Sequence, residues 1–191
     1  LTLLCDSKPL FTEQGEALFT HFGLSGPLVL SASTYIEDIT KHRYTCEFDL
    51  KPALDEKTLY DRLTRDFAEQ GSHSAQGALA KLLPNSMRPV AVEKWGVDPA
   101  TRAAQITREQ KQALVDLCKH WQVPVSALGD KEHAVITAGG VDVREVDPKT
   151  MASKLCEGLY FAGEVLDVDA RTGGYNLQIA WATAQAAVRA L

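Results

Sequence analysis

Paired cysteines, a basic surplus and a long apolar run are all missing from this 191-residue chain. The four cysteines, Cys5, Cys46, Cys118 and Cys156, are scattered and no CxxC occurs, so no metal site of the zinc type is expected. Their even number allows disulfides, but buried free thiols in a cytoplasmic protein are the expectation. Lysine and arginine number 20 against 25 aspartates and glutamates, a net charge of −5. That balance speaks against a nucleic-acid partner, which wants a basic surface. No run approaches the roughly 18 apolar residues of a membrane span, and the opening residues do not read as a signal peptide. What is present is ordinary for a globular chain: 45% hydrophobic and 24% charged residues, enough to bury a sizeable core.

Along the chain the periodicity changes twice. Residues 1 to about 50 read as β: Leu1 to Cys5, Pro9 to Thr12 and Glu16 to His21 as short strands. His42 to Leu50 alternates, Tyr44, Cys46, Phe48 and Leu50 facing one way. Between them Gly23-Leu24-Ser25-Gly26-Pro27 is a breaker cluster, with Pro27 suited to a first helical turn. His21 and Ser25 fail the spacing of a nucleophile elbow. Near residue 51 the period becomes 3.6. Asp55 is the expected N-cap of a helix with the stripe Leu54, Leu59, Leu63, Phe67. Residues 71 to 77 read as loop, Ala78 to Leu83 as a short helix, and Met87, Val90, Ala91 and Trp95 as another, ended by Gly96. Thr107 with Gln110 forms a capping-box pattern before Leu114, Leu117, Cys118 and Trp121. Strand character returns at Gln122 to Leu128 and at Ala134-Val135-Ile136-Thr137, which runs into Gly139-Gly140. That Gly pair permits either the close approach of a backbone or flat ligand, or a plain bulge.

The last stretch, Gly158 to Leu191, carries the most chemistry. Leu159-Tyr160-Phe161-Ala162 reads as a buried strand ending at Gly163-Glu164. An acidic loop with Asp167 and Asp169 follows, then Thr172-Gly173-Gly174 and a helix. The expected buried face of that helix is Leu177, Ala180, Trp181, Ala184, Ala187, Val188 and Leu191. Glycines let a ligand approach the backbone, and a helix N-terminus favours a phosphate or another electron-rich oxygen. A carboxylate at a strand end can accept hydroxyl hydrogens from a polyol. The combination suits a nucleotide-like cofactor with a sugar or ribitol chain; a plain strand–loop–helix with a Gly-rich cap fits the residues equally well.

GLYFAGEVLDVDARTGGYNLQIAWATA resembles the C-terminal flavin signature of the bacterial flavoproteins called the HI0933-like or YhiN family. GEALFTHFGLSGPLVLSAS, residues 15–33, and VITAGGVDVREVDPKTMASKL, residues 135–155, resemble two further blocks of the same family, in the same order. The resemblance implies an FAD-dependent oxidoreductase of the NAD(FAD)-utilising dehydrogenase or aminoacetone oxidase-like kind, acting on a small-molecule substrate, with NAD(P)H a possible electron donor. It implies that Glu164 holds ribitol hydroxyls. Gly163, Gly173, Gly174, Tyr175, Asn176 and Leu177 would lie along the ribitol and the pyrimidine edge of the flavin. Thr137, Gly139 and Gly140 are further candidates near it. It assigns no catalytic residue. The family also has a Rossmann-type unit whose GxGxxG loop holds the pyrophosphate, and no GxGxxG occurs here. The chain therefore reads as the C-terminal half of a larger protein, its partner the missing N-terminal FAD-binding half, and by itself inactive.

The expected fold is α+β. A small antiparallel β unit, residues 1–50 and 122–146, is interrupted by a helical subdomain, residues 51–121. A C-terminal strand–loop–helix, residues 147–191, belongs to a truncated FAD-binding, Rossmann-type domain. Two other functions remain compatible with these residues: a non-catalytic insertion domain that shapes a substrate site or docks a partner, and a stand-alone binding protein whose Gly-rich tail is structural.

Overall fold

A computed structural model describes residues 1–130, 132 and 134–191. The fold is α+β, with short antiparallel strands and, among the described residues, six α-helices. The chain divides into two compact units, residues 1–44 with 124–191, and residues 45–123. No helix among the described residues is long and apolar enough to cross a membrane.

The first unit opens on a hairpin. Strand β1, Thr2–Cys5, pairs antiparallel with β2, Lys8–Thr12, with Leu3 opposite Phe11 and Cys5 opposite Lys8. The register slips between Leu3 and Leu4, and Asp6 and Ser7 at the tip both take the left-handed region, φ 48° and 67°. The third expected strand shrinks to a two-residue ladder: β3, Leu18–Phe19, against β4, Leu24–Ser25. Helix α1, Pro27–Ser33, then starts on Pro27 at its first position. Gly26 precedes it at φ 95°, and a β-carbon there would sit 3.1–3.3 Å from the backbone of residues 16–18. Only glycine lets this helix start so close to the preceding strand. Leu28 and Ala32 are buried with Leu3, Phe11 and Tyr44.

The second unit holds most of β5, Tyr44–Phe48, and the start of β6, Trp121–Val125, which are neighbours in a sheet. The side chain of Gln122 donates to Glu47 Oε2 at 2.8 Å. The expected alternation holds: Tyr44, Cys46 and Phe48 are buried, and Thr45 and Glu47 half-buried. Between the two strands come α2, Glu56–Glu69, α3, Ala75–Ala78, α4, Arg88–Trp95, and α5, Arg108–Lys119. Their ends follow local chemistry. Asp55 Oδ1 accepts from the Thr58 N–H at 2.7 Å, Thr107 and Gln110 close a reciprocal capping box, and Gly96 ends α4 in the left-handed conformation.

The apolar stripes pack as the spacing requires. Leu59, Leu63 and Phe67 of α2 and Leu114, Val115 and Cys118 of α5 are 0–2% exposed. Phe67 stacks on Trp95 at 6.1 Å, and the Trp95 indole donates to the Gln110 carbonyl. At the carboxyl end of α5, Lys119 pairs with Asp49 at 2.6 Å and donates to the Leu54 carbonyl. Two local readings change. Residues 71–77 are not all loop, because Ser74 caps the single turn of α3. Val90 is exposed and Val92 buried, since α4 is rotated by the packing of Trp95.

Two expected strands do not form. Ala134 to Thr137 has no strand structure and Val135 is 68% exposed. Leu159 to Ala162 makes one isolated bridge, Tyr160 with Ala152, in place of a buried strand. A run of β-branched or apolar residues becomes a strand only where a neighbour supplies its hydrogen bonds and covers its faces. Among the described residues Ala134–Thr137 has no such neighbour, and Leu159–Ala162 has one only briefly, where the Ser153 N–H donates to Leu159 O and the Phe161 N–H to Met151 O. All four cysteines are free; Cys46 and Cys118 are buried and Cys156 is exposed.

Candidate functional site

The Gly-rich segments converge in the first unit. Val141 pairs with Leu166 in a parallel bridge: the Val141 N–H donates to Val165 O at 2.8 Å, and the Asp167 N–H to Val141 O at 2.9 Å. Just before it, the Gly139 N–H donates to Asp167 Oδ1 at 3.0 Å. Gly140, at φ 148°, is pressed onto this segment; a β-carbon there would lie 2.5 Å from Val165 O. Of the two readings of this Gly pair, Gly140 therefore serves close backbone approach within the chain. Gly139, at φ 96°, faces open space. Thr137 is exposed.

Beyond the bridge the chain makes a 3₁₀ turn, Gly163–Val165. The Gly163 N–H donates to Thr183 Oγ1 at 3.0 Å, which fixes the turn to α6, Tyr175–Ala190. Glu164 is exposed and makes no hydrogen bond or ion pair among the described residues. The following loop is braced twice. The Asn176 side chain accepts from the Ala170 N–H at 2.8 Å and donates to Ala170 O at 2.9 Å. Arg171 pairs with Glu13, while Thr172 Oγ1 lies 3.3 Å from Ser31 Oγ and donates to Pro27 O. The residue stretches 13–31, 139–141 and 163–176 thus meet around one loop.

Gly173 and Gly174 lead into α6 at φ 116° and 92°, and no side chain caps the helix. Its first N–H groups, of Tyr175, Asn176 and Leu177, have no partner within the helix by construction. They point, with the positive end of the helix dipole, past two glycines whose missing side chains leave room. Tyr175 is 62% exposed and its ring lies 3.7 Å from the β-carbon position of Gly173. Asn176 is spent on the loop and is not available to a ligand through its side chain.

The face of α6 differs from the expected one by about one residue. Ala187 is buried, and Asn176, Ile179, Ala180, Thr183, Ala186 and Ala190 are half-buried against the unit. A core of Val146, Met151, Leu166 and Ala187, flanked by Val141, Tyr160 and Phe161, lies under it. Leu177, Trp181, Val188 and Leu191, expected inside, are 66–86% exposed. Small residues let α6 lie close to its own unit, and the larger apolar side chains stay on a separate, uncovered stripe.

Sequence reasoning missed four contributors: Glu13, Ser31, Arg171 and Thr172. Their contacts span more than a hundred residues, and none carries a local signature. Asp167, in sequence simply an acid in a loop, is the acceptor that holds Gly139. His21 is exposed, edge-on to Phe22, and has no acidic partner among the described residues. A depression lined by Glu56, Lys57, Tyr60 and Gln112 lies in the helical unit and holds none of the candidate residues.

The family described as "HI0933-like protein barrel and H2TH domain" matches residues 1–136, and the chain belongs to this family. It is 33% identical over 97% of its length to a Haemophilus influenzae protein named "Ribosomal RNA dihydrouridine synthase", covering 43% of that protein. The Escherichia coli protein of the same name is 34% identical over 91% of the chain, with 42% of that protein covered. A Clostridium scindens "3-dehydro-bile acid delta(4,6)-reductase" is 29% identical over 98%, with 46% covered. The chain thus spans less than half the length of these relatives.

Proposed function

We propose that this chain is the part of an FAD-dependent oxidoreductase that closes around the ribitol and ring of the flavin, and that it works together with a dinucleotide-binding half. The observation that carries this reading is one loop, residues 163–174, that bears Glu164 without a partner among the described residues, holds Gly139 through Asp167 and leads into the uncapped, Gly-flanked start of α6. These groups fit the cofactor chemically. Glu164 would accept hydroxyl hydrogens of the ribitol. The N–H groups after Gly174 would face the electron-rich oxygens of the ring's pyrimidine edge or the first phosphate. Gly139 and Gly173 would let the flat ring come near the backbone. Gly163 acts one step back, locking the turn that carries Glu164, and Gly140 seats the segment that presents Gly139 and Thr137. The flavin, when bound, would supply the electron transfer.

The exposed stripe of α6 fits the same reading. Leu177, Trp181, Val188 and Leu191 form a larger apolar surface than a lone helix keeps in water. On this proposal residues 147–191 belong structurally to the flavin domain and the stripe packs against the other half. Residues 45–123 are then an insertion that leaves β5 and returns at β6.

The reaction we infer is reduction of a carbon–carbon double bond conjugated to a carbonyl, with NAD(P)H as the source of electrons. A dihydrouridine differs from uridine by two hydrogens across such a bond, and a delta(4,6)-reductase acts on bonds of the same type in a ring ketone. A small-molecule substrate remains the proposal for this chain. The net charge does not decide against RNA, because it is unevenly spread. Residues 45–123 hold eleven acidic and eleven basic side chains, and the surplus of five acids lies wholly in the other unit. The test uses the complete protein. It should purify with flavin absorbance and oxidise NAD(P)H only with a substrate that gains two hydrogens, by mass, at the conjugated bond. A colourless protein that takes up no FAD would overturn the reading.

A further inference from the structure

We propose that Cys5, Asp6 and His42 form a binding site for a zinc ion at the tip of the first hairpin, in no contact with the Gly-rich segments. The Cys5 thiol, an Asp6 carboxylate oxygen and a His42 ring nitrogen all lie within 4.8 Å of one another. Bonds from zinc to sulfur, nitrogen and oxygen of about 2.0–2.3 Å place neighbouring ligand atoms roughly 3–4 Å apart. Side-chain rotations therefore close the set without moving the backbone. Sulfur, imidazole nitrogen and carboxylate oxygen together suit zinc better than magnesium or calcium, which take oxygen ligands. Three protein ligands leave the fourth tetrahedral position to water.

The surroundings hold the donors in place. The Asp6 N–H donates to Arg43 O at 2.9 Å, and the Arg43 N–H donates to Asp6 Oδ1 at 3.0 Å. That pair fixes the carboxylate and clamps the hairpin tip to residues 42–43. The other oxygen, Oδ2, is 2.7 Å from His42 Nδ1. The His42 N–H donates to Asp38 O at 3.2 Å, and its ring stands edge-on to buried Tyr44 at 6.4 Å. Backing of this kind, a carboxylate held by an amide and an imidazole held by its neighbours, is what orients metal ligands. Asp6 and Ser7 occupy a two-residue turn that asks for positive φ at both positions, where Asn-Gly is the easy choice. A side chain at the first position is what brings a carboxylate to His42. An exposed His–Asp pair by itself would contribute little to stability, and it would not call for a thiol beside it. Binding displaces the thiol proton and moves the imidazole proton to Nε2, so that Nδ1 can ligate. The two ligand segments are 36 residues apart, which is why no CxxC-like spacing announces the site.

The test is zinc titration of the metal-free chain against a chromophoric chelator, repeated with cobalt(II). One zinc per chain, a cobalt spectrum with a thiolate charge-transfer band, and selective protection of Cys5 from alkylation, with Cys156 still reactive, are expected. Cys5→Ser and His42→Gln should weaken zinc binding about 100-fold or more, and Cys156→Ser should not. Circular dichroism of the variants confirms that they are folded, and the alkylation of the unaltered chain needs no variant. Zinc held with equal affinity in Cys5→Ser, no zinc held against the chelator, or cobalt bound without a thiolate band would each overturn the proposal.

Discussion

The N–H of Gly139 donates to Asp167 Oδ1 at 3.0 Å, so an acid from one loop holds a glycine from another 28 residues earlier. Next to it Gly140 has no space for a side chain. Gly140→Ala should force the 139–141 segment off Val165 and break the Val141–Val165 and Asp167–Val141 hydrogen bonds. A cost of about 1–3 kcal/mol is expected from overpacking, with faster amide exchange at Val141 and Asp167. Gly139→Ala meets no atom within 4 Å, and although its φ of 96° strains any side chain, it should open those amides less than Gly140→Ala does. Equal exchange in the two variants would show that Gly140 is not the seat of the contact.

The thiols should react in a set order. Cys156 is exposed, whereas burial raises Cys118 to about 11 and also pushes Cys46 above the ordinary thiol range. At pH 8 in native buffer, a thiol-specific dye should label Cys156 quickly and leave Cys46 and Cys118 unlabelled until the chain is denatured. Rapid labelling of Cys118, read by peptide mass, would mean that the α2–α5 core opens readily.

The caps of the helical unit carry a pH signature. Asp55 is held below its ordinary value of 3.8, first by the hydrogen bonds from Thr58. A lowered folded-state pKa makes a contribution that is fully present above the unfolded value and is lost as pH falls through the folded one. Acid unfolding below pH 3.8 should thus be shallower in Asp55→Asn than in the unaltered chain. Thr107→Ala, which removes the cap of α5 and a hydrogen bond that helps hold the Glu109 carboxyl below its ordinary range, should cost about 1 kcal/mol in urea unfolding at neutral pH. A Thr107→Ala loss confined to acid would contradict the capping role.

These caps were legible in the sequence because Asp55 and Thr58, or Thr107 and Gln110, decide the matter within one turn. Gly96 ends α4 for an equally local reason. The alternation of Tyr44, Cys46 and Phe48 was legible because a strand with one wet face must alternate. What failed was tertiary. Ala134–Thr137 has strand composition without a strand neighbour among the described residues, and Leu159–Ala162 finds one only over Met151–Ser153, too short to make a strand. The α6 pattern contains two apolar faces, one of small residues and one of large ones, and hydrophobicity alone ranks the large one first. The bracing of the loop by Glu13–Arg171 and Ser31–Thr172 has no signature at all, since each partner is an ordinary polar residue until the fold brings it in.

The chain by itself should hold no stoichiometric FAD. It has no GxGxxG loop, and with it lacks the helix start that takes the pyrophosphate in dinucleotide folds. Titration followed by flavin fluorescence should show no saturation in the low micromolar range. Tight one-to-one binding would mean that the Gly139, Glu164 and α6 groups suffice, and the need for a second half would have to be dropped.

The sharpest test of the proposed flavin role concerns Glu164 in the complete protein. Its carboxylate follows Gly163, whose N–H donates to Thr183 Oγ1, and so stands on a turn held against the middle of α6. It has no hydrogen-bond or ion-pair partner among the described residues, which leaves it available to a ligand. Charge-assisted hydrogen bonds to two ribitol hydroxyls would be worth roughly 1.5–3 kcal/mol when shielded from water. Glu164→Ala should accordingly weaken FAD binding by about one to two orders of magnitude. Stability without flavin should hardly change, because no contact within the chain is lost. Asp167 is unsuitable as a control, since it holds Gly139. Asp169, exposed in the same loop and with no hydrogen bond or ion pair among the described residues, serves instead: Asp169→Ala should shift the FAD dissociation constant less than about threefold. If the two variants weaken FAD equally and slightly, Glu164 is a solvated loop acid. If Glu164→Ala destabilises the flavin-free protein as much as it weakens FAD, the carboxylate supports the fold, and the ribitol contact must be sought elsewhere along residues 173–177.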